Sequence, residues 1–468
     1  TKHSETKSTE IPYDKLIISQ GASPIIPPTK GSHLPHVFSL RDMNDMDKID
    51  QYIEAKKPKS AVVVGGGFIG LEMAEALVHR GIQVHLVEKA PQVMALMDFE
   101  FGRLIAEELK LNKINLYLDN SIDEIKSDQV VLAVNPAQGG VGAEMVIFSI
   151  GVKPELELVK KCGLEMGSQG GLKVNTHLQT SDPDIYAVGD MVEVPHKVLN
   201  KWVRVPLAGP ANRQGRIAAT NATQANTISY SGTIGSSVVK VFEKTAAITG
   251  LSERAAKAHG FDVAIATVHP RHHAGYYPGA QQMSLQLVFE RKTGEILGAQ
   301  AFGGAGVEKR IDVIATALHG KMKVFDLEEI DLCYAPPYSS ANDPVNMVGF
   351  VASNAVRGFS QLISAQDFVI QIKKETAENP VADTATFPSL VLDVREPSEY
   401  REGHWPKAQN IPLPELRDRL GELPKNKTIY VHCAVGFRGH LAYRILVQNG
   451  FTKVYNISGG FKSMSFFV

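Results

Sequence analysis

One stretch constrains the fold of this chain more than any other: AVVVGGGFIGLEMAEALVHRG, residues 61–81. The β-branched run at 60–64 reads as a fully buried parallel strand. Glycines follow at 65, 67 and 70, and a helical pattern covers 67–80 until Gly81 stops it. A strand, a Gly-x-Gly-x-x-Gly turn and a helix in this order make the phosphate-binding unit of a doubly wound sheet. Gly65 allows the tight turn, Gly67 lets backbone approach a pyrophosphate, and Gly70 lets the helix pack close to the strand. The helix N-terminus presents unpaired N–H groups and a partial positive charge to the phosphates. Glu88 ends the next strand, IQVHLVE at 82–88, where a carboxylate can accept hydrogen bonds from the ribose hydroxyls of NADH. Lys89 beside it weakens the discrimination, so NADPH stays open.

The rest of the chain sets this unit in a larger frame. At roughly 100–200 residues per domain, 468 residues predict three or four domains. A short strand in 14–21 ends at Gly21, helical patterns cover 42–56 and 98–111, and strands fall near 114–118, 129–134 and 143–150. That alternation predicts a parallel sheet covered on both faces. The runs SSVVKVF, DVAIATV and SLQLVFE within 234–350, with a helix at 307–319, predict an antiparallel α+β domain. ETAENPVADTAT, inside 365–389, reads as a linker to a last α/β unit running from about 388 to 468. The formal charge is −1 with no basic run, so no nucleic-acid partner is expected. No apolar run reaches the ~18 residues that span a bilayer, so no membrane partner is expected either. The three scattered cysteines, Cys162, Cys333 and Cys433, argue against a disulfide framework and for the reducing cytoplasm. Cys162 and Cys333 read as core or interface fillers, and no metal site is expected.

The string TSDPDIYAVGD, 180–190, resembles the two-dinucleotide-binding flavoproteins of the pyridine-nucleotide disulfide oxidoreductase family. The resemblance implies that Asp190 lies beside the ribityl and phosphate of FAD; a plain turn aspartate after a strand is the alternative. SQGA at 19–22, with Ser19 and Gly21, is similar to the family segment that lines FAD. SIGVKP at 149–154, with Gly151, is similar to the crossover out of the NADH domain. LAGPANRQGR at 207–216, with Ala208 and Pro210, is similar to the segment under the flavin ring. By the same resemblance Glu72 faces the nicotinamide, unless it is an ordinary solvated helix glutamate. The family's first phosphate turn, for FAD, and the redox cysteine that follows it have no counterpart here. Some ~90–100 further residues, about one phosphate turn with its strands, are therefore expected upstream of Thr1. Without them this chain is expected to bind FAD poorly and not to reduce disulfides.

Two further resemblances narrow the family. HHAGYYPGA, 272–280, and DLCYAPPYSSANDPVNMVG, 331–349, resemble coenzyme A-disulfide reductases with their NADH oxidase and polysulfide reductase relatives. They imply a homodimer in which Tyr334, with Tyr276 or Tyr277, reaches the partner subunit's active site. A phenol there can donate to a thiolate or protonate a leaving thiol; aromatic packing at the dimer interface is the alternative. LDVREPSEYREGHWPKAQNIP, 392–412, and VHCAVGFRG, 431–439, resemble a rhodanese. Cys433 then sits in a loop whose successive N–H groups cradle a thiolate or persulfide anion. Four residues separate Cys433 from Arg438, one fewer than in cysteine phosphatases, which suits a sulfane sulfur rather than a phosphate. Ala434 stands where many rhodaneses carry a basic residue, which favours a neutral or larger persulfide donor over thiosulfate. Asp393 and Arg395, and also Glu402 and His404, are expected to brace the fold rather than react.

The domain order resembles the coenzyme A-disulfide reductase–rhodanese fusions over essentially the whole chain. The expected fold is α/β, an N-terminally incomplete two-dinucleotide-binding flavoprotein with an α+β dimerisation domain and a C-terminal rhodanese domain. Expected boundaries are 1–40 for the rest of the FAD half, 41–152 for the NAD(P)H domain and 153–232 for the returning FAD segment. The dimerisation domain follows at 233–358, the linker at 359–387 and the rhodanese at 388–468. The implied activity is FAD-dependent oxidation of NADH or NADPH coupled to reduction of coenzyme A disulfide, coenzyme A persulfide or polysulfide, with sulfane sulfur carried on Cys433. The alternatives are an NADH oxidase that passes electrons to oxygen and a non-redox persulfide carrier or scaffold on a degenerate flavin fold.

Overall fold

The computed structural model describes residues 10–133, 140–378 and 387–467. The chain forms two compact units, one from the residues up to Ile25 with Gly151–Gly235, the other from Ile26–Ile150 with everything after Ser236.

In the first unit the strand Leu16–Ile18 pairs in parallel with Ile185–Ala187, and Ala22–Pro24 pairs antiparallel with Val152–Pro154. The helix Ala208–Thr223 buries Ala218 against a core of Ile18, Leu172, Tyr186, Ala187 and Val192. The connections are irregular, and side chains hold them: Asn221 gives its amide to the carbonyls of His177 and Ile228.

The second unit carries the regular sheets. Five parallel strands lie in the order Val37–Ser39, Met145–Phe148, Ser60–Val64, Gln83–Val87, Asn115–Tyr117. Helices Met43–Lys56, Phe68–His79 and Phe99–Leu111 lie where the apolar periodicity predicts them. Asp42 caps the first through the N–H groups of Asn44 and Asp45. A small antiparallel sheet joins the expected strand Gln129–Leu132 to Ile122–Ile125 and Val141–Gly142, two short strands the sequence reading leaves out. The antiparallel domain has the order Ser237–Val241, Lys244–Gly250, Ile296–Gly303, Met283–Glu290, Val263–Val268. It shares one core with the parallel sheet: Val239, Val241, Phe242, Ile248 and Phe302 pack with Leu71, Leu77, Phe101 and Ile105. Glu75 fastens the same seam, accepting from Lys240 and from the Phe242 N–H at 2.7 Å.

The C-terminal sheet is parallel, in the order Leu362–Ile363, Val454–Ile457, Thr428–His432, Ser389–Asp393, Gln409–Asn410. It corrects the linker expectation. Leu362–Ile363 is an edge strand of this sheet, and Ala365–Glu378 is a helix packed on it. Ala365, Phe368, Val369 and Ile372 recur at i, i+3, i+4 and i+7 and bury against Val391, Trp405, Tyr430 and Ile457. The polar tail of this helix hides that stripe in the sequence. Residues 379–386 of the expected linker lie outside the described residues. Cys162 and Cys333, expected as core or interface fillers, are both exposed in the single chain, so neither fills a core. Glu402 is exposed as well and braces nothing among the described residues, whereas His404 stacks on Tyr400 with ring centroids 4.0 Å apart.

Candidate functional site

The nucleotide turn leaves Ser60–Val64 with Gly65 at φ +107°, where an added Cβ would lie 2.5 Å from the Ser149 carbonyl oxygen. A Cβ at Gly70 would lie 1.9 Å from the Gly65 oxygen, so helix and turn touch through backbone alone. At Gly67 a Cβ would meet nothing within 4 Å, and no side chain caps the helix there. An open approach thus leads to free N–H groups at a helix N-terminus. The buried hydroxyl of Ser149 beside the turn has no hydrogen-bond partner among the described residues. These features fit a dinucleotide. Glu88 is already engaged: its two oxygens accept from the N–H groups of Gly66 at 2.6 Å and Ala90 at 2.7 Å. Each oxygen keeps a lone pair for a ribose hydroxyl. Glu72 is exposed in the first turns of the helix.

The flavin-side candidates lie in the other unit. Gly189, at φ +83°, donates its N–H to Gln214 Oε1 at 2.7 Å, which seats the strand end on the helix Ala208–Thr223. Asp190 follows. Burial holds its carboxyl above the usual range against the opposing pull of Arg204. No hydrogen bond reaches that carboxylate among the described residues. The helix opens at Ala208 without a side-chain cap, with Ala208 exposed and Pro210 buried. Ser19 is exposed and Gly21 takes φ +71°. Gly151, at φ +104°, lends its carbonyl to the Ile25 N–H at 3.0 Å. A half-buried free carboxylate and an uncapped helix end suit the hydroxyls and anionic atoms of a flavin nucleotide.

Tyr276 and Tyr334 come together, with their hydroxyls 3.3 Å apart, and that hydrogen bond holds Tyr334 above the ordinary phenol range. Tyr277 turns instead to His273, edge to face at 5.6 Å. All three are exposed. Beneath them lies a buried network that sequence reading misses. Arg310 Nη2 donates to Asp343 at 2.8 Å and to the His272 carbonyl at 2.7 Å, while Ser339 donates to Asp343 at 2.6 Å.

Cys433 follows the strand Thr428–His432 and is buried. Its Sγ accepts the Gly436 N–H at 3.2 Å, and Gly436 takes φ +113°. Among the described residues no acceptor meets the N–H groups of Ala434, Val435, Phe437 or Arg438. One loop thus presents one engaged and four free donors around a sulfur, a nest that fits a thiolate or persulfide anion. Arg438 forms two 2.7 Å hydrogen bonds to Glu399, which lift its already high affinity for the proton; Cys433 adds a smaller push in the same direction. No sequence spacing points to Glu399, which lies 39 residues away. Asp393 and Arg395 form a buried bidentate pair under the loop, and the Arg395 guanidinium lies 4.1 Å from the Phe461 ring centre. His432 is fully buried, and burial drives its imidazole down to about 4, so it is neutral. Beside the loop lies a cavity of about 590 Å³. Val435, Phe437 and Leu441 line one wall, and Met347, Phe350 and Val351 of the antiparallel domain line the other.

Residues 1–225 match the family model for pyridine nucleotide-disulphide oxidoreductases, and 236–344 match the dimerisation domain of the same family. Residues 373–465 match the rhodanese-like domain. The coenzyme A disulfide reductase of Staphylococcus haemolyticus is 34% identical over 343 residues, 73% of this chain and 76% of that protein. The chain belongs to the pyridine nucleotide-disulphide oxidoreductase family. Its mixed α/β architecture with a dimerisation domain and a C-terminal rhodanese domain is the fold class that the sequence predicts. The crystal structure of reduced Bacillus anthracis CoADR-RHD superposes with a TM-score of 0.90 at 44% identity, covering 97% of this chain and 79% of that one. The NAD-dependent persulfide reductase from A. fulgidus superposes with a TM-score of 0.84 at 35% identity, covering 96% of this chain and 80% of that one. Among the described residues no helix is long and apolar enough to cross a membrane, and no group of three or more metal-ligating side chains is present.

Proposed function

We propose that this protein is an NAD(P)H-dependent reductase of persulfides, polysulfides or coenzyme A disulfide that handles sulfane sulfur on Cys433 and works as a homodimer. The observation that carries this reading is the loop around Cys433, where Gly436 already donates to sulfur and four further N–H groups await an acceptor. A thiolate there attacks the outer sulfur of a persulfide R–S–SH. The S–S bond breaks, R–SH leaves with the proton, and Cys433 holds the transferred sulfur as a persulfide anion. Arg438, fixed by Glu399, sets a positive charge beside that anion. Net reduction then balances as NADH + H⁺ + R–SSH → NAD⁺ + R–SH + H₂S. The chemistry that FAD supplies when bound is the two-electron relay from a hydride donor to sulfur. Gly65, Gly67 and Gly70 would hold the donor's diphosphate, with Glu88 at its ribose and Glu72 toward the nicotinamide. Ser19, Gly21, Gly151, Asp190, Ala208 and Pro210 would line the flavin.

The apolar cavity beside Cys433 favours a donor with a long uncharged arm, such as coenzyme A persulfide, over thiosulfate. The exposed pair Tyr276 and Tyr334, with Tyr277 close in sequence, would serve the partner subunit's sulfur centre as proton donors. The test compares NADH oxidation with coenzyme A persulfide, with polysulfide and with oxygen alone, in parent and Cys433→Ser protein. Persulfide-dependent oxidation, with a mass gain of one sulfur on Cys433, is expected. Equal rates with oxygen alone would point to an oxidase, and a colourless protein inert to NADH would point to a carrier.

A further inference from the structure

The loop of Cys433 does not stand alone. A turn at Ser458-Gly459 and the short helix Gly460–Met464 that follows it lie against its back. The Phe461 N–H donates to the Cys433 carbonyl at 2.7 Å, and the Lys462 N–H donates to the Ala434 carbonyl at 3.0 Å. A trans peptide carries its N–H opposite its C=O. Fixing these two carbonyls therefore fixes the next two N–H groups, of Ala434 and Val435, facing away from the clamp. Those are two of the four free donors of the nest. Gly460 takes φ +62°, and a Cβ there would stand 2.5 Å from the Cys433 oxygen, so the approach demands glycine.

The clamp is in turn tied to the dimerisation domain by three contacts. Ser458 Oγ accepts the Thr267 N–H at 2.8 Å. His269, buried and neutral, bridges Ser284 at 2.9 Å and Ser463 at 3.2 Å. Its imidazole is pushed down to about 3, first by burial and then by the charge of Lys462. Lys462 Nζ reaches Gln282 Oε1 at 2.6 Å. Thr267, His269, Gln282 and Ser284 belong to the edge strand Val263–Val268, the strand Met283–Glu290 beside it and their connection; Ser458, Lys462 and Ser463 belong to the clamp.

We infer that the persulfide nest is positioned from outside its own domain: Ser458, Lys462 and Ser463, held by Thr267, His269 and Gln282, orient the Cys433 loop for sulfur transfer. The inference rests on the reading of Cys433 as the sulfur carrier. None of these residues touches the sulfur, so they are positioning residues. The rhodanese chemistry is then not self-contained.

The test uses the full chain with Cys162→Ser and Cys333→Ser, which leaves Cys433 as its single thiol. Iodoacetamide alkylation of Cys433 is followed across pH by peptide mass, beside kcat and KM for sulfur transfer. Gln282 is exposed, so Gln282→Lys perturbs the tie without threatening the fold, by setting two ammonium groups against each other. It should slow alkylation near neutral pH and lower kcat about fivefold, the weight of one net hydrogen bond, and move the alkylation profile to higher pH at unchanged KM. Gln282→Glu keeps an acceptor for Lys462 but loses the Nε2 donation to the His269 carbonyl at 2.9 Å, and should stay closer to the parent than Gln282→Lys. Ser463→Ala should act in the same direction as Gln282→Lys and more strongly. Unchanged alkylation profiles in both Gln282→Lys and Ser463→Ala would overturn the inference and reduce the contacts to packing. If Cys433→Ser itself retains full sulfur transfer, the reading of Cys433 fails instead, whatever the clamp variants do.

Discussion

The buried pair Arg310–Asp343 gives the sharpest energetic expectation. Both side chains are almost completely enclosed, at 2% and 3% exposure. Arg310 also donates to the carbonyls of Gly306 and His272, and Asp343 caps the helix Pro344–Val356 through the Val345 N–H at 3.0 Å. Breaking a buried pair from one side costs about 3–5 kcal/mol, because the abandoned charge stays buried. Arg310→Met should therefore cut amide-exchange protection in Val307–His319 and Pro344–Val356 on the order of 10²–10³-fold at pH 8.

The pH dependence carries the stronger test. In the parent, burial pushes the Asp343 carboxyl up, but Arg310, Ser339 and the Val345 N–H outweigh it and hold the carboxyl below its ordinary value. Stability from a lowered carboxyl is present above the unfolded value near ~3.9 and is lost as pH falls through the folded one. Removing Arg310 leaves burial in command, so the lone carboxyl rises in the variant. Its protonation then relieves the buried charge, and the deficit of Arg310→Met should be smaller at pH 5 than at pH 8. Adding Asp343→Asn should recover more than half of the loss at pH 8, since asparagine keeps the cap without the charge. A deficit that is the same at both pH values, or an Asp343→Asn change that only adds to it, would refute the reasoning.

Other outcomes follow from the same geometry. Gly70→Ala places a methyl 1.9 Å from the Gly65 oxygen, so turn and helix must separate; overpacking of this kind costs about 1–3 kcal/mol. NADH affinity by calorimetry should drop roughly tenfold or more, and an unchanged Kd would remove the turn from the nucleotide site. Glu399→Gln frees Arg438 from its bidentate hold, and sulfur transfer from coenzyme A persulfide should fall about fivefold to tenfold with the alkylation of Cys433 slowed in parallel. Where the Phe99–Leu111, Glu253–Ala258 and Ala365–Glu378 helices converge, burial lifts Glu253 to about 7 and Glu100 to about 8, with Asp98 and Asp367 adding repulsion and Lys257 opposing it at Glu253. A raised carboxyl favours the folded state protonated, so exchange protection of Ala365–Glu378 should fall as pH climbs from 6 to 8.5. Glu100→Gln should flatten that slope.

Local patterns carried much of this architecture. The β-branched run at 60–64 and the spacing of glycines 65, 67 and 70 define strand, turn and helix within a few residues of one another; Gly65 and Gly70 answer to backbone approaches that leave no choice, and Gly67 keeps the approach to the helix open. The helix Ala365–Glu378 escaped because its apolar stripe occupies only its first eight residues and the rest is polar enough to pass for a linker. The partners of catalytic groups escaped for another reason. Glu399 under Arg438, Asp343 under Arg310 and Ser458 under Thr267 meet across folded distance, and no spacing along the chain encodes such meetings. Cys162 and Cys333 show the converse: cysteine is so often buried that composition alone argues for the core, yet both are exposed in the single chain, which removes the core alternative and leaves that of an interface.

The antiparallel domain stands between the two chemistries of the molecule. On one side it shares a core with the nucleotide sheet. Glu75 receives its Lys240, and Asp98 accepts from its Gln300 and from the Glu253 N–H at 2.8 Å. On the other side its edge strand carries the clamp on the Cys433 loop. A domain whose sole task was to join two subunits would need neither set of buried polar ties, because burying polar groups costs free energy unless each finds its partner. Here the ties are satisfied and directional, and they run from the helix that follows the glycine turn and from the clamp behind the Cys433 loop to opposite edge strands of one sheet. Such a sheet holds the helix of the glycine turn and the Cys433 loop in fixed register, so a variant that loosens it should disturb sulfur transfer and nucleotide binding together.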